Sequence, residues 1–251
     1  MKLLSCIVIA LAVVGVYGDE PEKLVNAIPS SINEYPHCVS MRNRGQHMCG
    51  GSIIGPKHVL TAAHCVQNLP SSVTIVSGTS LLNQGGESHR IEKVFAHENY
   101  NPYDPSGRGP YDIALIKLLD PITFNSQQKP IALPTSDIMK NDAVTIAAWG
   151  STGLGQRVHN DLRKLMMNAM LPGECQRLHG TAMKVAQSEL CTLTSYGTGL
   201  CHGDSGSGLV RNKDNCIIGL VSGGRPCARG YPDIFTNVWH YKSWIENKML
   251  Y

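Results

Sequence analysis

Three short segments carry the side-chain types that nucleophilic catalysis by serine requires. Ser205 lies between glycines in CHGDSGSGLV, His64 follows an apolar stretch in VLTAAHCV, and Asp112 opens the apolar run in YDIALIKL. A serine hydroxyl needs a base to take its proton, and a carboxylate holds an imidazole base in the correct tautomer. Each segment alone is a weak signal, because turns, structural histidines and strand-start aspartates are common. Together they predict a catalytic serine with its base and orienting acid.

Short runs rich in Val, Ile and Thr, separated by turn residues, must position these side chains. They include GGSIIG, SVTIVSG, IEKVFAH, DIALIKL, DAVTIAAWG and CIIGLVSGG. Their length and spacing favour an antiparallel barrel or sandwich over alternating strands and helices. One segment differs, because NVWHYKSWIENK places Val238, Tyr241, Trp244 and Ile245 at helical spacing. We expect a C-terminal helix that packs on the body of the protein through this stripe.

The composition is that of a globular protein with a substantial core. The 251 residues are 42% hydrophobic and 16% charged, and the formal net charge is +3. These values exclude a disordered or fibrous chain. The basic residues are spread along the sequence, so no nucleic-acid partner is expected. The length suits one large or two small domains, and no linker marks a boundary between them.

The N-terminus has the pattern of a signal peptide. Lys2 precedes the apolar run LLSCIVIALAVV, which has the length of a signal peptide and is too short to span a bilayer comfortably. We expect a signal peptide over residues 1–18 and a secreted, extracellular protein with no membrane partner after its removal. A membrane anchor is the competing interpretation.

The cysteines indicate disulfide bonds. Of the nine cysteines, Cys6 lies in the signal segment, which leaves an even number in the secreted part. Spacing alone leaves about 105 connectivities open for eight cysteines. No CxxC pair supports a zinc site, and we expect neither a metal nor another cofactor.

The chain resembles trypsin/chymotrypsin-like serine proteases over residues 24–251. The matching segments are HMCGGSII, TAAHC, DIALIKL, AWGSTG, GDSGSG and GLVSGG, together with the C-terminal helical segment. Segments such as FAHENY are most similar to secreted arthropod digestive proteases of the mite type and their degenerate paralogues. The resemblance implies an all-β fold of two six-stranded antiparallel β-barrels of the chymotrypsin type with a C-terminal α-helix, and an active site between the barrels.

The resemblance also implies a role for each residue of the constellation. His64 would be the general base, Asp112 its orienting partner and Ser205 the nucleophile. The backbone N–H groups of Gly203 and Ser205 would form the oxyanion hole. The implied disulfides pair Cys49 with Cys65, Cys175 with Cys191, and Cys201 with Cys227. Cys38 and Cys216 match no common bridge of the family and are either paired with each other or free.

A short acidic segment, DEPEK, precedes the region of resemblance and is expected to be an activation propeptide over residues 19–23. The resemblance implies cleavage after Lys23 by a trypsin-like protease. The new ammonium group of Leu24 would then pair with buried Asp204. The family usually begins Ile-Val-Gly-Gly at this point, whereas this chain reads Leu-Val-Asn-Ala.

The expected specificity pocket departs from the usual pattern. Gly199 stands where trypsin-like enzymes have aspartate, Leu200 replaces a small polar residue, and Asp233 stands where glycine is usual. Ser222 and Gly224, whose backbones would pair with an extended substrate, are retained. The arrangement resembles that of crab collagenolytic proteases, which accept both basic and apolar side chains. The competing interpretation is that Asp233 and Leu200 fill the pocket.

The resemblance therefore implies a secreted serine endopeptidase that is made as a zymogen and has mixed basic and apolar specificity. Its expected partners are protein or peptide substrates, an activating trypsin-like protease and protein protease inhibitors. The alternative is a catalytically inactive protease paralogue that acts as a binding or decoy protein. This alternative stays open because the constellation is complete while its surroundings have changed, for example at Gly223, where the family usually has tryptophan.

Overall fold

The computed structural model describes residues 27–104, 109–225 and 227–251. The expected signal peptide, the propeptide and Leu24 lie outside these residues. Within the described ranges, no helix combines the length and the apolar character needed to cross a bilayer.

The first half of the chain forms a closed six-stranded antiparallel barrel. Its strands are β2 (Cys38–Asn43), β3 (Gln46–Gly55), β4 (His58–Thr61), β5 (Val73–Ser77), β6 (Glu87–Ala96) and β7 (Ala114–Leu118). They follow the order β2-β3-β4-β7-β6-β5, and pairing of β2 with β5 closes the barrel. Each run of Val and Ile predicted as a strand here forms one.

The second half forms another closed six-stranded antiparallel barrel. Its strands are β8 (Ala143–Ala148), β9 (Arg163–Met170), β10 (Glu189–Thr192), β11 (Gly208–Arg211), β12 (Cys216–Gly224) and β13 (Asp233–Asn237). Pairing of β8 with β9 closes it, and the short strand β1 (Ile28–Pro29) adds to the outside edge of β9. Strand β9 shows the two-residue period of a half-buried strand, because Leu165, Met167 and Ala169 are buried while Met166 is exposed. The predicted fold class is confirmed.

The two barrels share an apolar interface that also holds the C-terminus. Its buried residues come from both barrels and from the C-terminal segment: Leu60, Ile113, Leu115, Ile131, Val210, Ile217, Leu220, Val238, Tyr241 and Ile245. Full burial of a side chain of this size contributes about 1.5–3 kcal/mol. The interface fixes one barrel against the other, which is necessary for any site built from both.

The structure contains two α-helices in its described part, α1 (Pro172–His179) and α2 (Lys242–Lys248). The C-terminal helix is confirmed, and Val238, Tyr241 and Ile245 are buried as predicted. It is shorter than its sequence pattern, because Val238 and Tyr241 precede its first turn. Helix α1 was not predicted, although Pro172 at its start and Gly180 (φ 59°) after its end are typical boundary residues.

Three disulfides tie the described chain together. They join Cys49 to Cys65, Cys175 to Cys191, and Cys201 to Cys227, as the resemblance implied. Cys38 and Cys216 are free thiols, and both are buried. Cys38 and Cys216 are therefore not paired with each other.

Candidate active site

His64 and Asp112 are brought together by two neighbouring strands. His64 lies in a single 3-10 turn (Ala63–Val66) that follows β4, and Asp112 lies just before β7, the strand that pairs with β4. The His64 Nδ1–H donates to Asp112 Oδ2 at 2.7 Å, and the His64 backbone N–H donates to Oδ1 at 2.9 Å. With the proton held on Nδ1, the Nε2 atom is left as an acceptor. This is the tautomer that a general base for a hydroxyl requires.

Asp112 is fixed from the second barrel as well as from the first. It is fully buried. The Ser222 hydroxyl of β12 donates to Asp112 Oδ2 at 2.6 Å, and the Thr236 hydroxyl of β13 donates to the Asp112 carbonyl at 2.8 Å. The Ser222 bond holds the carboxylate in one orientation, and the Thr236 bond holds the Asp112 backbone. The residue that orients the imidazole is therefore set by contacts from both barrels.

Ser205 lies in the turn between β10 and β11 and lines the same cavity as His64. The cavity has a volume of about 330 Å³, and Leu200, Ser222 and Asp233 also line it. The Gly50 backbone N–H donates to the Ser205 carbonyl at 2.8 Å, which ties this turn to the first barrel.

Two backbone N–H groups next to Ser205 are available to a ligand. Within the described ranges, neither the Gly203 N–H nor the Ser205 N–H has an acceptor. Gly203 has a φ of 93°, and its carbonyl accepts a hydrogen bond from the half-buried His47 Nε2–H at 2.9 Å. The Gly203 N–H belongs to the peptide of the His202 carbonyl, which accepts a hydrogen bond from the Ser151 N–H at 2.7 Å and so fixes this N–H group. Free, oriented N–H groups can stabilise an oxyanion formed beside them.

A constellation of this kind recurs on unrelated folds, so the fold and the sequence must decide the family. The Trypsin family profile matches residues 24–245. The chain belongs to the trypsin family.

Relatives of this trypsin-family chain include arthropod enzymes. It is 35% identical to Chymotrypsin-2 of Vespa crabro over 229 residues, which is 90% of this chain and 100% of that protein. It is 31% identical to Trypsin alpha-4 of Lucilia cuprina over 245 residues, 96% of this chain and 93% of that one. Among solved structures it is similar to neuropsin, a serine protease expressed in the limbic system of mouse brain, with a TM-score of 0.81 and 25% identity over 89% of this chain and 98% of that chain. The predicted family and its arthropod leaning are confirmed.

Asp204 is a buried carboxylate in the same turn as Ser205. Its oxygens accept hydrogen bonds from the backbone N–H groups of Gly150 at 2.8 Å and Cys201 at 2.9 Å. Burial raises the pKa of Asp204 to about 7, although these two hydrogen bonds lower it. A side chain at Gly150 would begin 2.2 Å from the carboxyl atoms, so only glycine permits this approach. No cation in the described part of the chain pairs with Asp204.

The Asp233 carboxylate lines the cavity and lies in the space next to Gly199. A Cβ atom at Gly199 would lie 2.9 Å from Asp233 Oδ2, and the Leu200 N–H donates to the same oxygen at 3.0 Å. The expected pocket residues Leu200, Ser222, Gly224 and Asp233 line the cavity, whereas Gly199 lies behind the carboxylate. An acidic side chain at position 199 therefore could not coexist with Asp233 in this position.

A disulfide, not a metal site, lies beside His64. The nearest ligand-type atoms of Cys49, His64 and Cys65 lie within 4.8 Å of one another, and the Cys65 sulfur is 3.6 Å from His64 Nε2. Both sulfurs are bonded to each other, so neither is a thiolate that could bind a metal. The disulfide instead fixes the turn that carries His64.

Two residues that support Asp112 were missed by sequence analysis. Thr236 binds the Asp112 carbonyl from the opposite barrel, and only the tertiary structure brings it there. Tyr111 precedes Asp112 with a φ of 68°, which is unusual for tyrosine, and its N–H donates to the Tyr241 hydroxyl at 3.1 Å. No local sequence signal distinguishes either residue.

The His64 imidazole is expected to titrate above its ordinary pKa of 6.5. Burial lowers this pKa, but the charge of Asp112 and the hydrogen bond to it outweigh burial and raise it. Because the folded-state pKa is raised, the pairing stabilises the fold fully below pH 6.5 and its contribution is lost as pH rises through the folded pKa. Histidine NMR titration measures this midpoint. His97, whose pKa is lowered mainly by burial, is the control in the same spectrum. A His64 midpoint at or below that of His97 would contradict the expectation.

Proposed function

We propose that this chain is a secreted serine endopeptidase that hydrolyses peptide bonds through an acyl-enzyme on Ser205. One observation carries the proposal most directly. The Asp112 carboxylate holds the proton of His64 on Nδ1 at 2.7 Å, and Ser205 faces the same cavity as that imidazole. Trypsin-family membership supports the reaction class.

In the proposed reaction, the Ser205 hydroxyl attacks the substrate carbonyl carbon. The hydroxyl proton passes to His64 Nε2 as the Oγ–C bond forms, and the imidazolium then gives this proton to the leaving amine as the C–N bond breaks. In the second step His64 takes a proton from water, which attacks the ester carbonyl carbon. The C–Oγ bond then breaks, His64 returns the proton to Ser205 Oγ, and the carboxylic acid product leaves. Asp112 stays ionised throughout and stabilises the imidazolium.

The proposed oxyanion hole consists of the Gly203 and Ser205 N–H groups. Both lack an acceptor in the described part of the chain, so they would not have to break a bond to bind the developing charge. Loss of one such donor typically costs about 3–4 kcal/mol of transition-state stabilisation. The hydrogen bond from the Ser151 N–H to the His202 carbonyl supports the orientation of the peptide that carries the Gly203 N–H.

The proposed substrate is a protein or peptide with either a basic or an apolar residue before the scissile bond. Asp233 supplies a carboxylate at the base of the pocket, and Leu200 supplies apolar wall. Apolar discrimination by one methylene is worth only about 1–3 kcal/mol, so selectivity in such a pocket is weak. Gly223 also lines the cavity and has no side chain to narrow it.

Zymogen activation is part of the proposal, because Asp204 is a buried carboxylate without a cation in the described ranges. We expect cleavage after Lys23 to free the Leu24 ammonium, which would pair with Asp204 and lower the pKa of its carboxyl. N-terminal sequencing of the mature secreted protein should therefore begin at Leu24. A Lys23→Gln variant, which a trypsin-like protease does not cleave there, should stay uncleaved and inactive. A stable mature protein that begins elsewhere and is active would contradict this prediction.

The proposed function is tested by cleaving the purified protein after Lys23 and treating it with a fluorophosphonate. We expect peptide mapping to find the label on Ser205 and the cleaved protein to hydrolyse members of a peptide library. If the folded, cleaved protein takes up no label and hydrolyses no peptide, the result indicates an inactive paralogue with a binding role.

A further inference from the structure

Asp233 is the first residue of β13, and its strand neighbours offer it no charge. Strand β10 places Thr192 opposite Asp233, and strand β12 places Gly224 opposite it on the other side. The carboxylate is only 7% exposed and still lines the cavity. Among the described residues, the donor to this carboxylate is the Leu200 N–H at 3.0 Å. The cavity is therefore lined by a nearly buried carboxylate whose two strand partners, Thr192 and Gly224, are uncharged.

No cation among the described residues forms an ion pair with the Asp233 carboxylate. Several titratable or charged groups surround it. Asp204 acts on it through its like charge, and His64 and His202 line the same cavity. His179 donates to the Pro232 carbonyl, and Arg225, after the end of β12, stacks on Tyr231. Asp204 disfavours the charged form of Asp233. A ligand that enters this cavity is thus the partner that decides the charge state.

The Asp233 carboxyl group titrates close to neutral pH. Burial raises its pKa to about 7, the Leu200 N–H lowers it, and the charge of Asp204 raises it. Both forms of the carboxyl group are therefore well populated between about pH 6 and pH 8. This titration changes the charge of the pocket itself, because the carboxyl group lines the cavity.

We infer that Asp233 gives this one pocket two states that select different substrate classes, a cationic side chain when Asp233 is ionised and an apolar side chain when it is protonated. The inference rests on the proposed endopeptidase function and adds what sets its selectivity. An ionised carboxylate in a confined site attracts a lysine or arginine head strongly. Under an apolar side chain, the same charge would be buried without a partner, which is costly, whereas the neutral acid is not.

The bound side chain in turn shifts the pKa of Asp233. A bound cationic side chain lowers the pKa of Asp233, and a bound apolar side chain raises it, because each ligand favours the form that it binds. Selectivity between the two classes should consequently shift with pH even though the lysine ammonium itself does not titrate near neutrality. A pocket with a fixed charge would lack this dependence.

The test uses the activated wild-type protein and two peptides that differ only in the residue before the scissile bond, lysine in one and norleucine in the other. Norleucine has the same straight carbon chain without the ammonium group. The ratio of the two kcat/KM values cancels the titration of His64, which acts on both substrates. We expect the ratio of lysine to norleucine cleavage to rise at least about tenfold from pH 6 to pH 8, since the ionised fraction of a group with pKa about 7 rises by this factor.

The control variant is Asp233→Asn, which keeps the shape of the protonated side chain and an oxygen for the Leu200 N–H. We expect its ratio to be low and flat across the same pH range. Cleavage of both peptides by the wild-type protein at a constant ratio would overturn the inference and leave the proposed function intact. Cleavage of neither peptide at any pH would overturn both. The wild-type profile decides the matter even if the variant does not fold.

Discussion

Replacing Ser205 with alanine is expected to abolish peptide hydrolysis by the cleaved protein and its labelling by a fluorophosphonate. Without the Oγ atom no acyl-enzyme can form, and His64 has no hydroxyl to deprotonate. For a catalytic serine that acts as one unit with its base, the loss in kcat is about a millionfold. Hydrolysis of a library peptide and mass spectrometry of the labelled protein measure the two effects. The alanine side chain fits the partly exposed position, so the fold should be unaffected.

Ser207 provides a matched control in the same turn. Its side chain is 3% exposed and packs against Gly50, where a Cβ atom would lie 2.0 Å from the Ser207 hydroxyl oxygen. Ser207→Ala therefore removes a serine near Ser205 without touching the cavity. We expect it to keep both the label and the hydrolysis. Loss of activity in both variants would point to damage of the turn, and activity in Ser205→Ala would overturn the assignment of the nucleophile.

The barrel strands could be predicted from the sequence because each carries its signal locally. A run such as DAVTIAAWG has the length, β-branched content and turn boundaries of a strand, and β8 forms there at Ala143–Ala148. Helix α1 was missed because its eight residues, PGECQRLH, lack an apolar stripe and only its boundary residues indicate it. Helix α2 was predicted too long because Val238 and Tyr241 follow helical spacing while packing from a preceding turn.

The residues of the candidate site could also be predicted, but the residues that hold them in position could not. His64, Asp112 and Ser205 lie in distinctive local segments. Thr236 and Tyr111 act through contacts across 124 and 130 residues of sequence, and nothing local to them records this. The same limit applies to Cys38 and Cys216, because spacing does not tell whether two buried thiols meet. Contacts made only in the folded chain are absent from any short segment.

The structure explains physically why the specificity pocket differs from the usual family pattern at two positions together. From the sequence, Gly199 and Asp233 are interpreted as the two ends of one change, in which the carboxylate has moved across the pocket. The structure links them, since the space that a side chain at Gly199 would need begins 2.9 Å from Asp233 Oδ2. The two positions are therefore alternatives for one carboxylate, and a change at one constrains the other. The pocket carboxyl group thereby lies on β13, and it accepts a hydrogen bond from the Leu200 N–H.

Replacing Asp112 with asparagine is expected to lower kcat about 10⁴-fold near neutral pH, which is the loss typical of this substitution in a chymotrypsin-type triad. The carboxylate accepts from the His64 N–H, the His64 Nδ1–H and the Ser222 hydroxyl. Asparagine has one oxygen and one NH₂ group. With its oxygen kept on the His64 backbone N–H, its NH₂ group faces Nδ1 and drives the imidazole proton to Nε2, where it prevents acceptance of the Ser205 proton.

Ser222→Ala distinguishes this tautomer effect from loss of packing around Asp112. It removes one donor to the buried carboxylate and leaves the acceptor for His64 Nδ1–H in place, so the smaller fall expected is about ten- to hundredfold. Nitrogen NMR of His64 should show the proton on Nδ1 in Ser222→Ala and on Nε2 in Asp112→Asn. If Asp112→Asn keeps the Nδ1 proton, or loses no more activity than Ser222→Ala, then Asp112 does not set the state of the base. In that case the 2.7 Å hydrogen bond between them would only hold the fold together.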